Sequence, residues 1–134
     1  MDFSREKIRV MVEKLDELRC RMLRPLTFSH IDAPAYKQDN TPPAPDAGWQ
    51  GPVTELRLEG VDAHCWLHLK LEKAEPAPGK QLRLSVKTGR EGQWDAKNPQ
   101  GLVYLNGRTA QGLDTNHTWL PLAYDTEYDI YIYF

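Results

Sequence analysis

The sequence predicts a mainly β chain, an antiparallel β-sandwich preceded by one N-terminal α-helix. Short apolar/polar alternations recur from residue 53 to the end and are divided by turns containing Pro and Gly, the pattern of strands that bury one face. Asn106-Gly107 closes the β-prone run Leu102-Val103-Tyr104-Leu105, and this dipeptide most readily takes the positive φ angles of a two-residue hairpin turn. A helical period is confined to residues 1–24. At 134 residues the chain has the size of one domain, and a domain of about 150 residues buries about 70% of its unfolded surface, enough for a core that needs no staple.

The helix is expected over residues 5–23. Ile8, Met11, Leu15, Leu18 and Met22 recur at spacings of three and four, which draws a narrow apolar stripe, while Ser4 can cap the start and Pro25 prevents a long continuation. Glu6 in the first turn and Arg19, Arg21 and Arg24 near the last complement the helix macrodipole. Fewer than three heptads make a short coiled coil, so the stripe reads as a surface that docks on another domain or subunit.

Residues 25–52 are Pro-rich, and Pro34, Pro42, Pro43 and Pro45 favour extended backbone over helix or central strand. Thr27, Phe28, Ile31, Tyr36 and Trp49 make this stretch too apolar for a free linker. It reads as a strap lying along an edge or open face of a sandwich that spans 53–134. In the sandwich, Leu56 and Leu58 alternate with charged residues over 54–60. Cys65, Leu67, Leu69 and Leu71 alternate with His64, Trp66, His68 and Lys70, and Leu82, Leu84 and Val86 face inward after the turn at Pro76-Ala77-Pro78-Gly79. The chain closes with Tyr128, Ile130, Ile132 and Phe134 on one side of a strand. His64 and His68 are separated by about 13 Å along a strand, too far to share an ion unaided. Cys65 points into the core and reads as a small hydrophobe.

Composition excludes some partners. A net charge of −2, from 17 basic and 19 acidic residues, leaves no electrostatic footprint for nucleic acid or an anionic membrane. Two cysteines are too few for a disulfide framework. Neither a signal-peptide core nor a membrane-spanning apolar run is present, so a cytoplasmic location is expected.

Polar residues concentrate in the stretch 94–122. After the hairpin, 108–111 forms the return strand, and 112–117 is too polar to continue it and reads as a loop. The strings WDAKNPQGLVYLNG (94–107) and QGLDTNHT (111–118) closely resemble the first, non-catalytic β-sandwich domain of cytosolic-type glycoside hydrolase family 38 α-mannosidases. The resemblance extends more loosely to the N-terminal helix, the Trp49 region and the closing strand.

It implies a jelly roll of the galactose-binding-like type. It also implies that a large α/β catalytic domain, which binds zinc or another divalent metal and uses an Asp nucleophile, follows this segment. No cofactor is then expected in this chain, and an end at Phe134, straight after an aromatic strand, suits an excised domain. The His30-x-Asp32 pair looks superficially like the family's metal motif, but Ala33-Pro34-Ala35 follows it and the supporting ligands are absent.

These residues admit three functional classes. An enzyme in its own right would need two carboxylates about 5 to 9 Å apart, and Asp95 with Asp114 is the one pair to consider. A carbohydrate-binding module would stack Trp94 or Trp119 on a mannoside and bind hydroxyls through Asp95, Asn98, Gln111, Asp114, Asn116 or His117. An accessory domain would instead use the helix stripe and the 111–118 loop to hold the catalytic domain of the same polypeptide, or a neighbouring subunit of a homo-oligomer. The last reading is favoured. Against all three stands the plain alternative that these Asp and Asn residues satisfy loop backbone and the Trp residues fill the core.

Overall fold

A computed structural model describes residues 3–33, 39–91 and 99–134. Among these residues are one helix, α1 (Phe3–Arg19), and eight strands: β1 (Phe28–Ala33), β2 (Gln50–Val53), β3 (His64–Leu71), β4 (Leu82–Ser85), β5 (Gly101–Leu105), β6 (Arg108–Leu113), β7 (Trp119–Leu122) and β8 (Tyr128–Tyr133). All pairings are antiparallel. Six strands form one sheet in the order β2-β1-β3-β8-β5-β6, and β4 and β7 form a second.

The two sheets share an apolar core. Cys65, Leu67, Leu69, Val103, Leu113, Ile130 and Ile132 of the large sheet meet Leu84, Leu120 and Leu122 of the small one, with Leu26, Phe28, Leu56 and Phe134 closing the margins. The inward set predicted for β3, β4 and β8 is the set that packs here.

The opposite face of the large sheet is covered too. Trp66, Tyr104 and Tyr133 are buried there with Ile31, Leu102, Tyr131 and Trp49 beside them. Trp49 packs on His68 and Tyr131 at 5.6 and 5.9 Å between ring centroids. Its Nε1 donates to the Ala44 carbonyl at 2.9 Å, and the Tyr104 hydroxyl donates to Asn40 at 3.0 Å. Residues 39–49 thus lie over this face, as a strap would.

The boundary expected between strap and sandwich is corrected, because residues 25–52 also supply β1 and most of β2, and β1 is an interior strand of the large sheet. The sequence of β1, FSHIDA, shows no clean alternation since five of its six residues are at least half-buried on one face or the other.

The strand expected over 54–60 does not form. β2 and β3 both run antiparallel to β1 on its two sides, so they are parallel to each other and the link between them must cross over the sheet. That crossover drops Leu56 into the core and leaves Leu58 and Val61 exposed. The unexpected strand β7 carries Pro121, which demotes a strand reading; it is tolerated in a sheet of only two strands, opposite Arg83.

The helix begins at Phe3, so Ser4 lies inside its first turn, and it ends at Arg19, which leaves Met22 outside it. Past that end the chain turns so that Cys20 receives the Arg83 Nη1 at 3.5 Å and Leu26 reaches the core. No strand packs along the helix among the described residues, and Ile8, Met11, Leu15, Leu18 and Met22 are 61% to 81% exposed. No described helix is long and apolar enough to cross a membrane.

Candidate functional site: the loop after the β5–β6 hairpin

The hairpin turns where expected. Asn106 and Gly107 take φ angles of 50° and 81°, and Leu105 pairs with Arg108 across the turn. Asn106 also ties the turn to β8, donating through Nδ2 to the Glu127 carbonyl and accepting the Asp129 N–H at 2.7 Å. A register shift between Val103 and Tyr104 then places Gly101 opposite Leu113, so β6 continues two residues beyond the expected strand end at Gln111. Leu113 is buried, and its side chain is what keeps this part of the chain in the sheet.

The loop proper is built on Asp114. Its Oδ1 accepts the backbone N–H of Asn116 and of His117, each at 2.7 Å, and both carboxylate oxygens lie 3.0 Å from His117 Nδ1. The Asp114 N–H returns a bond to the His117 carbonyl at 3.2 Å. The His117 ring and the two loop amides hold the Asp114 carboxyl below the usual carboxylate range. Thr115 is buried beneath the loop, and the Thr118 carbonyl accepts Val86 N–H at 2.8 Å, which anchors the loop to the end of β4.

Gln100, Gly101, Gln111, Gly112, Leu113, Asp114 and His117 line an open depression of about 520 Å³. Three of the expected site residues, Gln111, Asp114 and His117, therefore meet at one place. Asn116 contributes its backbone N–H to the Asp114 turn and does not line the depression. The Arg83 guanidinium sits over one face of the Trp119 ring, 3.7 Å from its centroid. The Trp119 carbonyl accepts Gln111 Nε2 at 2.7 Å. Trp94, Asp95 and Asn98 lie outside the described residues.

The reading of the sequence missed Gln100. Counted straight from the Asn-Gly turn, Gln100 falls opposite Leu113; the register shift between Val103 and Tyr104 moves it toward Asp114, and no local signal in the sequence announces that shift.

The polar groups at this depression are largely committed to one another. Asp114 Oδ1 already accepts two amides and stands within hydrogen-bond reach of an imidazole, so little of its acceptor capacity points outward. A carboxyl held ionised is unsuited to act as the general acid of glycoside hydrolysis, and no second carboxylate lines the depression among the described residues.

The other three histidines face elsewhere. His68 Nε2 lies 2.6 Å from Asp129 Oδ1 with its ring stacked on Tyr131 at 4.2 Å, and His64 stacks on Tyr133. His30 and Asp32 turn to the inner side of β1, opposite Leu67 and Cys65. Among the described residues no group of three His, Cys, Asp or Glu is placed to hold a metal ion. Burial, and secondarily Asp32, pushes the Cys65 thiol up to about 11, which fits its place in the core and not a nucleophile's role. Comparison with protein-family models, curated proteins and solved structures finds no match to this chain.

Proposed function

We propose that this chain is a non-catalytic accessory domain, the first β-sandwich of an α-mannosidase of glycoside hydrolase family 38, with a jelly roll of the galactose-binding-like type. The observation that carries the reading is the N-terminal helix, whose apolar stripe is left exposed by the described residues. A domain that leaves such a surface open is built to be seated on something else. The self-satisfied loop at Asp114 supports the same view, since a loop whose donors and acceptors close on each other keeps a fixed shape and offers a sugar few convergent groups. In this reading the metal and the nucleophile belong to a catalytic domain of the same polypeptide, and the Asp114–His117 loop is a shaped contact surface.

A carbohydrate-binding module is the second reading, favoured by the depression that brings Gln111, Asp114 and His117 together. Two measurements separate them. The pure chain is expected to release no chromogenic product from an aryl α-mannoside, and product release would overturn the accessory role. Calorimetry with mannose and short mannosides is expected to show no binding at micromolar concentrations, and a micromolar dissociation constant would establish the binding module instead.

A further inference from the structure

The Asn106-Gly107 pair that closes the hairpin is also open to a reaction of its own. The side-chain amide of an asparagine can be attacked by the backbone nitrogen of the residue after it, and a following glycine puts no Cβ in the way. The chain has four asparagines. Asn40 precedes Thr41 and Asn116 precedes His117, whose side chains crowd that nitrogen, and Asn98 precedes Pro99, whose nitrogen has no proton to lose. Asn106 alone precedes a glycine. Both residues of the pair are exposed to water, and a Cβ built on Gly107 would meet nothing within 4 Å.

Against this reactivity the fold sets three hydrogen bonds from one residue to β8. The Asn106 N–H donates to the Asp129 carbonyl at 2.9 Å, Oδ1 accepts the Asp129 N–H at 2.7 Å, and Nδ2 donates to the Glu127 carbonyl at 3.0 Å. The side-chain amide is thus held on β8 at both its oxygen and its nitrogen. The nitrogen that deamidation expels is the one bonded to Glu127. Ring closure would also fix the Cα–C torsion of Asn106, which the two-residue turn already sets with both of its residues at positive φ.

We propose that Asn106 is a site of spontaneous, one-way modification gated by the fold: it deamidates when the tip of the β5–β6 hairpin lifts from β8, and its product does not seat there as asparagine does. In the step a base takes the Gly107 N–H proton, the nitrogen bonds to Asn106 Cγ, and the Cγ–Nδ2 bond breaks with loss of ammonia. Water then opens the five-membered imide. Opening at Cγ leaves aspartate, opening at the backbone carbonyl leaves isoaspartate, and no oxidant or reductant takes part.

Either product undoes a contact of the turn. An aspartate puts an acceptor in place of Nδ2, which stands 3.0 Å from the Glu127 carbonyl oxygen, so two acceptors face each other with no proton between them. Its charge also joins those of Glu127 and Asp129 on β8 and the residue before it. Isoaspartate adds a methylene to the main chain inside a two-residue turn, which breaks the closure of Leu105 on Arg108. The tip then stays off β8, while Val103 and Tyr104 still pair with Ile132 and Tyr131. Openings of the tip thus accumulate as a permanent change. The inference rests on these bonds and not on the accessory role.

Mass spectrometry of the full chain tests it. The chain is incubated folded, and unfolded in guanidinium chloride, at one pH and temperature; it is then digested, and conversion at each asparagine is read from the mass gained when amide becomes acid. Asn106 is expected to convert first in the unfolded chain, and about tenfold or more slowly in the folded one, since two side-chain hydrogen bonds must break before the ring can close. Asn106→Asp should raise the unfolding equilibrium constant by about tenfold in chemical denaturation. It should also speed hydrogen exchange of the residue 106 amide, which donates to Asp129, and leave that of Ile132 unchanged.

A folded chain that converts at the rate of the unfolded one overturns the proposal. So does earlier conversion at Asn40 or Asn116 in the unfolded chain, or an Asn106→Asp variant as stable as the parent. The two rates are measured on the unaltered chain, so they stand even if that variant fails to fold. None of these outcomes bears on the mannoside assays, so the two readings fail separately.

Discussion

Asp114 shows how one side chain can fix a loop. Its carboxylate gathers two backbone amides and the His117 imidazole, and all of these favour the ionised form. Its folded-state pKa is therefore depressed, so the stabilisation it gives is present above the ordinary carboxylate range and is lost as pH falls through the lowered value. In a carboxyl-detected titration Asp114 should come out below its ordinary 3.8. His117→Ala should move that midpoint upward while the two amide bonds keep part of the depression. A midpoint unmoved by His117→Ala would mean that the backbone alone sets it.

An Asp followed by Asn and His within three residues could be read from sequence as a loop with a turn-forming carboxylate. That the carboxylate would be spent inside its own loop, and so be a poor sugar ligand, follows only from the distances.

At the scale of elements, the helix and the hairpin were legible because each rests on a local signal, a 3-4 spacing in one case and Asn-Gly in the other. β1, the crossover and β7 were not, and for a common reason: their conformation is decided by what lies across from them. β1 is lined on both faces, the 54–60 alternation belongs to a link that must pass from one side of β1 to the other, and Pro121 sits where a missing N–H is harmless. The same distinction yields a prediction for α1. Because its stripe is exposed among the described residues, Leu15→Glu/Leu18→Glu should leave the unfolding free energy of the sandwich within about 0.5 kcal/mol per substitution of the parent, as surface changes do. Chemical denaturation checks this, and a loss of several kcal/mol would show that the helix belongs to the core after all.

The whole molecule is held from both faces of one sheet. Leu120 reaches the inner face from the small sheet, and Trp66 anchors the aromatic layer on the outer face; both are nearly inaccessible. Leu120→Ala should cost about 2–5 kcal/mol and Trp66→Ala about 3–5 kcal/mol. If the two layers fold as one unit, each variant should lower a single transition seen identically by tryptophan fluorescence and by far-ultraviolet dichroism. Two separated transitions would mean that the outer layer can open by itself. The outer layer is half visible in the sequence: the apolar strap with Trp49 suits a cover for one face, but alternation sends Trp66 to the outward side of its strand and names no partner for it. Its partners, Tyr104 and Tyr133, come from strands far along the chain.

The outermost position beside β1 has a bearing on how copies of this chain can meet. β2 is only four residues long, it contains Pro52, and its register with β1 slips between the pairs Phe28–Val53 and His30–Gln50. A Cβ placed on Gly51 would come within 3.0 Å of the Phe28 carbonyl oxygen, so that slip is tied to a residue without a side chain. A short rim that lacks one amide donor and is bent out of register is a poor template for an incoming strand. Along that rim the sheet does not lend itself to growing from one molecule into the next, and fibrous stacking is discouraged there by the backbone itself.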